Sequence, residues 1–421
     1  MFSNISRFFK QSDIPPEYHA TFRHLYFDIA WFGVLSGSAV NFLSIYATRL
    51  GATSLQIGLI GAMSAIVNLF LAIPAGRWLA KRNINRAIFW TSVFYRLGFL
   101  AFIFLPWLFD EPTQIIAIIV ITFLMAIPLT PLGVGFNALF AEAVPEQYRA
   151  HVAGIRNVML AITFITTSLI SGNILEHTPF PTGYQIVFGI GAFGAAMSSF
   201  HLYFVKPLKP DAPAPQTTPA PDSVKPTASF IQNLFSALRL DILTSPFRRV
   251  LLALFAFHLT HNITTPVYPQ YNVRVLHLND DHLGTGTAFY YLTMLLGSFP
   301  LKRIVHRLGN QKVTALGMMG MATYPLLLSF ATEVWHYYLI SLLGGFTWAW
   351  ANGAYANYML ERTPAHDRPA HLAWYTLILN SAILAGALGG SALATQIGLS
   401  GALLLFALLR FLAGLFILKW G

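Results

Sequence analysis

The chain has 421 residues, 55% of them hydrophobic and only 10% charged, with a formal net charge of +10. Water-soluble domains carry about 25% charged residues, so a water-soluble fold of this size could not hide so much apolar surface. The lack of cysteine excludes disulfides and thiol chemistry.

In chain order, residues 1–21 come first. Phe2, Ile5, Phe8 and Phe9 alternate with Arg7 and Lys10, which suits a short helix on a membrane surface. No cleavable leader is expected, because the first apolar run continues as a full span. Apolar runs long enough to cross a hydrocarbon core of about 30 Å then predict spans at 22–47, 53–78, 87–108, 113–141, 150–174 and 183–205. A second set follows at 249–270, 283–301, 313–330, 335–358, 371–395 and 399–418. Such segments must satisfy their own backbone in lipid, which makes them helices.

Between the sets, residues 206–248 read as a linker. Its stretch 207–226 is rich in proline. Phe230, Ile231, Leu234, Phe235 and Leu238 then recur at helical spacing, as in an amphipathic helix on the cytoplasmic surface. The expected fold class is an all-α membrane protein: twelve transmembrane helices in two pseudo-symmetric six-helix bundles, 22–205 and 249–421.

Of the 26 lysines and arginines, all but Arg49, Arg274, Arg96 and Arg410 fall on one face: the N-terminus, the even-to-odd connections and the C-terminus. By the positive-inside rule that face is cytoplasmic, with both termini inside and the cell membrane as the location. The surplus faces anionic lipid headgroups, which accounts for the charge without nucleic acid.

The halves repeat. Laid against itself so that Ile57-Gly58 meets Leu283-Gly284, the chain also matches Pro74 with Pro300, Arg77 with Arg303 and Arg86 with Lys312. A second register lays Glu142, Pro145 and Arg149 on Glu361, Pro364 and Arg368, two copies of E-x-x-P-x-x-x-R. Duplication of this kind builds many transporters, with solute bound near mid-membrane between the repeats.

Twelve spans, a long central linker and basic loops after spans two and eight resemble the major facilitator superfamily. Its loop motif, roughly G-x-L-A-D-R-x-G-R-K, is similar to Gly76-Arg-Trp-Leu-Ala-Lys81-Arg82-Asn-Ile-Asn-Arg86 and to His306-Arg307-Leu-Gly309-Asn-Gln-Lys312, with Lys81 and His306 in place of the family's Asp. The E-x-x-P-x-x-x-R pairs are similar to a motif of sugar porters, whose other signatures are not evident. The resemblance implies a secondary active transporter that moves a small organic solute by alternating access, with spans one, four, seven and ten lining its cavity.

On that basis Asn137, His258, His261, Asn262, Trp348, Asn352 and Tyr355 are the candidate solute-binding set. Their aromatic rings and few charges point to export of an amphipathic or apolar compound. Arg77, Arg82, Glu142, Arg149, Arg303, Arg307, Glu361 and Arg368 form a candidate cytoplasmic gate, since carboxylate–guanidinium pairs can latch two halves in one state and release in another. Asp28, Arg96 and Arg410 are charges at membrane depth, which must face protein or water. Asp28 can exchange a proton and arginine effectively cannot, so Asp28 is the candidate for proton coupling and Arg96 its partner or the partner of an anionic solute group.

His258 and His261 are at most half a metal site, and no G-x-x-x-x-G-K-[ST] loop is present, so no metal, cofactor or ATP-driven step is expected. A monomer is expected. The competing readings are a lipid flippase or a non-transporting receptor on the same scaffold, or an intramembrane lipid-modifying enzyme. The last needs a convergent catalytic set, for which Asp28, His258 and His261 give no motif, so an enzyme is not expected.

Overall fold

The computed structural model describes residues 14–206, 239–364 and 367–421. The expected surface helix at 1–9, the proline-rich stretch and the amphipathic segment at 230–238 lie outside them.

Among the described residues twelve membrane helices run in the expected order. The first half holds α1 (Pro16–Arg49), α2 (Ser54–Leu79), α3 (Ile84–Leu108), α4 (Glu111–Ala143), α5 (Glu146–His177) and α6 (Thr182–Tyr203). The second half opens with α7, broken into Phe247–Asn262 and Val267–Arg274. Then come α8 (Asp280–Ser298, continued by Leu301–Leu308), α9 (broken into Asn310–Met321 and Thr323–Leu328) and α10 (Val334–Arg362). The last run, Arg368–Trp420, turns at Gly398, whose φ of 76° divides it into α11 and α12.

Local chemistry sets several starts. Thr53 and Gln56 close a capping box at α2, and the side chains of Asn83 and Asn279 accept from the first turns of α3 and α8. Several helices overrun the predicted spans, as α5 does at Glu146, because helical hydrogen bonding does not stop where hydrocarbon does.

The breaks also have local causes. Pro325 has no N–H to give to the Met321 carbonyl four residues back, and α9 breaks there. Pro266 stands at the break in α7. In α1, a π turn over Ser36–Val40 coincides with a bond from Ser38 Oγ to the Val34 carbonyl (2.6 Å).

The halves meet along two long seams, α5 against α8 and α2 against α11, and at a third contact where residues 41–49 of α1 meet residues 267–274 of α7. The glycines that align in the repeat sit one on each long seam. A Cβ on Gly58 would stand 2.7 Å from the Ala387 carbonyl oxygen of α11, and one on Gly284 would stand 2.6 Å from the Ser168 carbonyl oxygen of α5. Close helix approach through small residues is how membrane bundles gain packing energy without a hydrophobic drive.

The seam can therefore be tested. Gly284→Leu should lower the melting temperature of the purified protein, at a cost of ~1–3 kcal/mol from overpacking. Gly389→Leu is the control, since nothing lies within 4 Å of the Cβ position at Gly389. Equal melting temperatures for the two variants would contradict the seam.

Candidate functional site

The face opposite the basic one is sealed by two arginines. Arg49 of α1 donates from Nη2 to the Leu278 carbonyl (2.9 Å) and to Asp280 Oδ1 (3.1 Å) in the other half. Tyr184 of α6 also donates to Asp280 Oδ1 (2.9 Å). In return Arg274 of α7 donates to the Ala52 carbonyl (2.6 Å), and Ser54 donates to Gln270 (2.8 Å). The exchange follows the repeat: in the register that lays Gly58 on Gly284, Ala52 falls on Leu278 and Arg49 lands one residue past Arg274. In the sequence these two arginines are the exceptions to the charge asymmetry. That exception was the available signal.

Beneath the seal lies a cavity of about 330 Å³ between the halves. Asn41 and Ser44 line it from α1, just past the π turn; His261, Thr264, Thr265 and Tyr268 line it from the break in α7. Tyr290, Tyr324 and Arg410 complete the wall from α8, α9 and α12. Arg410 is 1% exposed and its partners are neutral. It donates to the carbonyls of Thr260 (3.0 Å) and His261 (3.2 Å), to Thr264 Oγ1 (2.6 Å), to Tyr268 Oη (3.3 Å) and to the Met321 carbonyl (3.2 Å). These carbonyls stand at the last turns of the leading pieces of α7 and α9, and Met321 is the one that Pro325 leaves without a donor. One guanidinium thus caps two broken helices. At mid-depth a second polar crossing runs from Thr130 of α4 to Asn68 of α2 (2.6 Å) and on to Asn380 of α11 (3.3 Å).

The candidate solute-binding residues separate. His261 lines the cavity, its ring stacked on Trp348 at 4.4 Å and 11° with Nδ1 unpartnered. Trp348 stands behind it. His258 points elsewhere, with Nε2 3.1 Å from the Tyr375 hydroxyl of α11 and its ring edge-on to Tyr355 at 5.4 Å. Asn262 does not reach the cavity wall either: it bonds back to the His258 carbonyl (2.7 Å) and its Cβ packs toward Gly386. His258, His261 and Asn262 all lie in the leading piece of α7, before its break, and helical spacing alone could not tell which edge of their shared stripe meets the cavity. Asn137 and Asn352 are exposed. Each lies on the helical face of a residue turned inward, Thr130 for Asn137 and Trp348 for Asn352.

Asp28 is 3% exposed and lies inside the first half, not on the cavity. Both Nη atoms of Arg156 donate to its Oδ2 (3.2 Å), Ser198 donates to Oδ1 (2.6 Å), and Arg96 stands 3.8 Å from Oδ1. The cluster ties α1, α3, α5 and α6. Arg96 was the expected partner. Arg156 was assigned to the basic face and is instead 7% exposed under the Phe136 ring, because α5 begins well before its apolar run.

The expected gate pairs are not formed in this state. Among the described residues neither Glu142 nor Glu361 is ion-paired with Arg77, Arg82, Arg149, Arg303, Arg307 or Arg368. Arg149 turns back to the carbonyls of Ala141 and Val144 at the end of α4, and Glu361 accepts from Asn310 (2.6 Å). The polar bonds named above that cross between the halves all lie at mid-depth or toward the opposite face.

Removing one partner of a buried ion pair leaves an uncompensated charge, at ~3–5 kcal/mol. Arg156→Ala should therefore lower the melting temperature far more than Arg77→Ala at an exposed position, and equal effects would refute the clamp.

The sequence profile described as Major Facilitator Superfamily matches residues 27–279 and 250–421. The cis,cis-muconate transport protein of Acinetobacter baylyi is 24% identical over 66% of this chain and 66% of its own. Multidrug resistance protein 2 of Bacillus subtilis is 24% identical over 32% of this chain and 33% of its own length. The chain thus spans less than two thirds of either relative. A variant of the nucleoside transporter NupG shares the fold, with a TM-score of 0.70 at 12% identity over 95% of this chain and 99% of that one. With the profile spanning both six-helix halves, the chain belongs to the major facilitator superfamily.

Proposed function

We propose that the protein is a secondary transporter that moves a small organic solute by alternating access, and that the state seen in the structure is open toward the basic, cytoplasmic face. One observation carries the reading: a cavity lined by both halves, with reciprocal arginine contacts between the halves on one side and, among the described residues, neither gate carboxylate ion-paired on the other. Rocking about the two glycine seams would part Arg49 from Asp280 and bring the basic ends together. The duplicated Glu142 and Glu361, unpaired with the gate arginines in this state, are the groups positioned to latch that closed form.

The larger crevice, about 770 Å³ between α3 and α6 with Arg96 and Ser199 among its walls, favours the flippase reading. Every residue around it belongs to the first half, so rocking of the halves does not change its access, and solute transport remains the proposal. Relatives named for multidrug resistance and for cis,cis-muconate transport are both consistent with an organic cargo.

Because the chain has no cysteine, a single introduced thiol reports access directly. Ser44→Cys should react with a membrane-impermeant thiol reagent from the basic side only. With Arg49→Ala and Arg274→Ala added, it should react from the opposite side as well. Labelling that stays one-sided in both backgrounds would end the alternating-access reading.

Proton coupling through Asp28 requires Arg156 or Arg96 to leave the carboxylate in the other state. With two guanidiniums and a hydroxyl on that carboxylate, the geometry favours a clamp. Asp28→Asn is expected to lower stability and to reduce flux equally with and without a pH gradient in proteoliposomes. Loss of gradient-driven flux with exchange retained would instead assign Asp28 the coupling role.

A further inference from the structure

We infer that the central cavity recognises the carboxylate of a small, ring-bearing organic acid; this rests on the transporter reading. Among the residues lining the cavity there is one formal charge, the Arg410 guanidinium, and no aspartate or glutamate from either half. The partners of Arg410 are carbonyls and hydroxyls, which accept its protons and leave its charge in place. Helix carboxyl ends do favour a cation. Here each break continues within a few residues into Val267–Arg274 or Thr323–Leu328, whose amino ends bring the opposite sign. The cavity is therefore positive: an amine is repelled, a neutral solute gains nothing from the charge, and an anion is drawn in.

The donors suit a carboxylate. Tyr268 accepts from Arg410 Nη1 at 3.3 Å, and no acceptor for its own proton is found among the described residues, so that O–H is polarised and free to donate. His261 lines the same wall, with its Nδ1 buried and unpartnered. The tyrosine rings supply flat apolar walls for a ring, and about 330 Å³ lies at the small end of ligand cavities. Carried without a proton, such an anion is driven outward by an inside-negative potential, the direction of the export expectation.

The test uses full-length protein and three matched probes: benzoate, benzamide and benzylamine. Benzoate should raise the melting temperature at concentrations where the amide and the amine do not, and should exchange in counterflow in proteoliposomes. Tyr268→Phe removes one hydrogen bond to a charged group and should raise the half-saturating benzoate concentration about tenfold. Arg410→Lys keeps the charge but loses the hydrogen bond that polarises Tyr268, so it should also weaken benzoate if it folds; the Tyr268 variant decides the matter if it does not. Equal binding of benzamide or benzylamine, or no shift with any probe, overturns the carboxylate site and leaves the Ser44→Cys labelling result standing for transport. Benzoate binding without counterflow keeps the site and overturns the transporter reading.

Discussion

Hydrocarbon offers no partner to a polar group, and that rule shapes both halves of this protein. The first half meets it with an acid: Asp28 gathers Arg156, Arg96 and Ser198 from three other helices. The second half has a buried cation but no acid beside it. It uses backbone instead. Breaking α7 and α9 at bilayer depth leaves carbonyls that would each cost several kcal/mol unpartnered, and Arg410 takes them. The breaks and the arginine form one unit. Neither is stable at that depth without the other.

The architecture was legible because hydropathy and charge asymmetry act over whole helices and do not depend on the exact packing. The repeat was legible because its matched residues are polar, Gly or Pro. Matching Gly58 to Gly284 showed that the position matters; the structure supplies the reason, since both backbones must approach a helix of the other half. The site was legible only in part. A proline such as Pro325 announces a lost donor, and Arg410 announces a buried cation. Which carbonyl meets which guanidinium depends on how three helices pack. Arg156 was missed for a related reason: a charge near the end of an apolar run looks like a flank until the helix start is known. His258 and Asn262 share a helical stripe with His261, yet of the three only His261 reaches the cavity.

The features common to the two halves and those peculiar to one sort by role. The shared features, the seam glycines and the crossing arginines, lie where the halves touch. The unshared ones, the Asp28 cluster and the Arg410 cap, lie within one half each, and the counterparts of Asp28 and Arg96, Leu254 and Ala322, are apolar. The residues that join the halves and the residues that hold each half together are thus different sets.

The seal between the halves is lopsided. At one corner Arg49 meets a carboxylate that a tyrosine also holds; at the other, Arg274 meets only a backbone oxygen and a glutamine that a serine shares. Dissolved ions weaken the first corner far more than the second, because only the first joins opposite formal charges. The rim therefore has no single strength. Ionic conditions at that face set which corner weakens first.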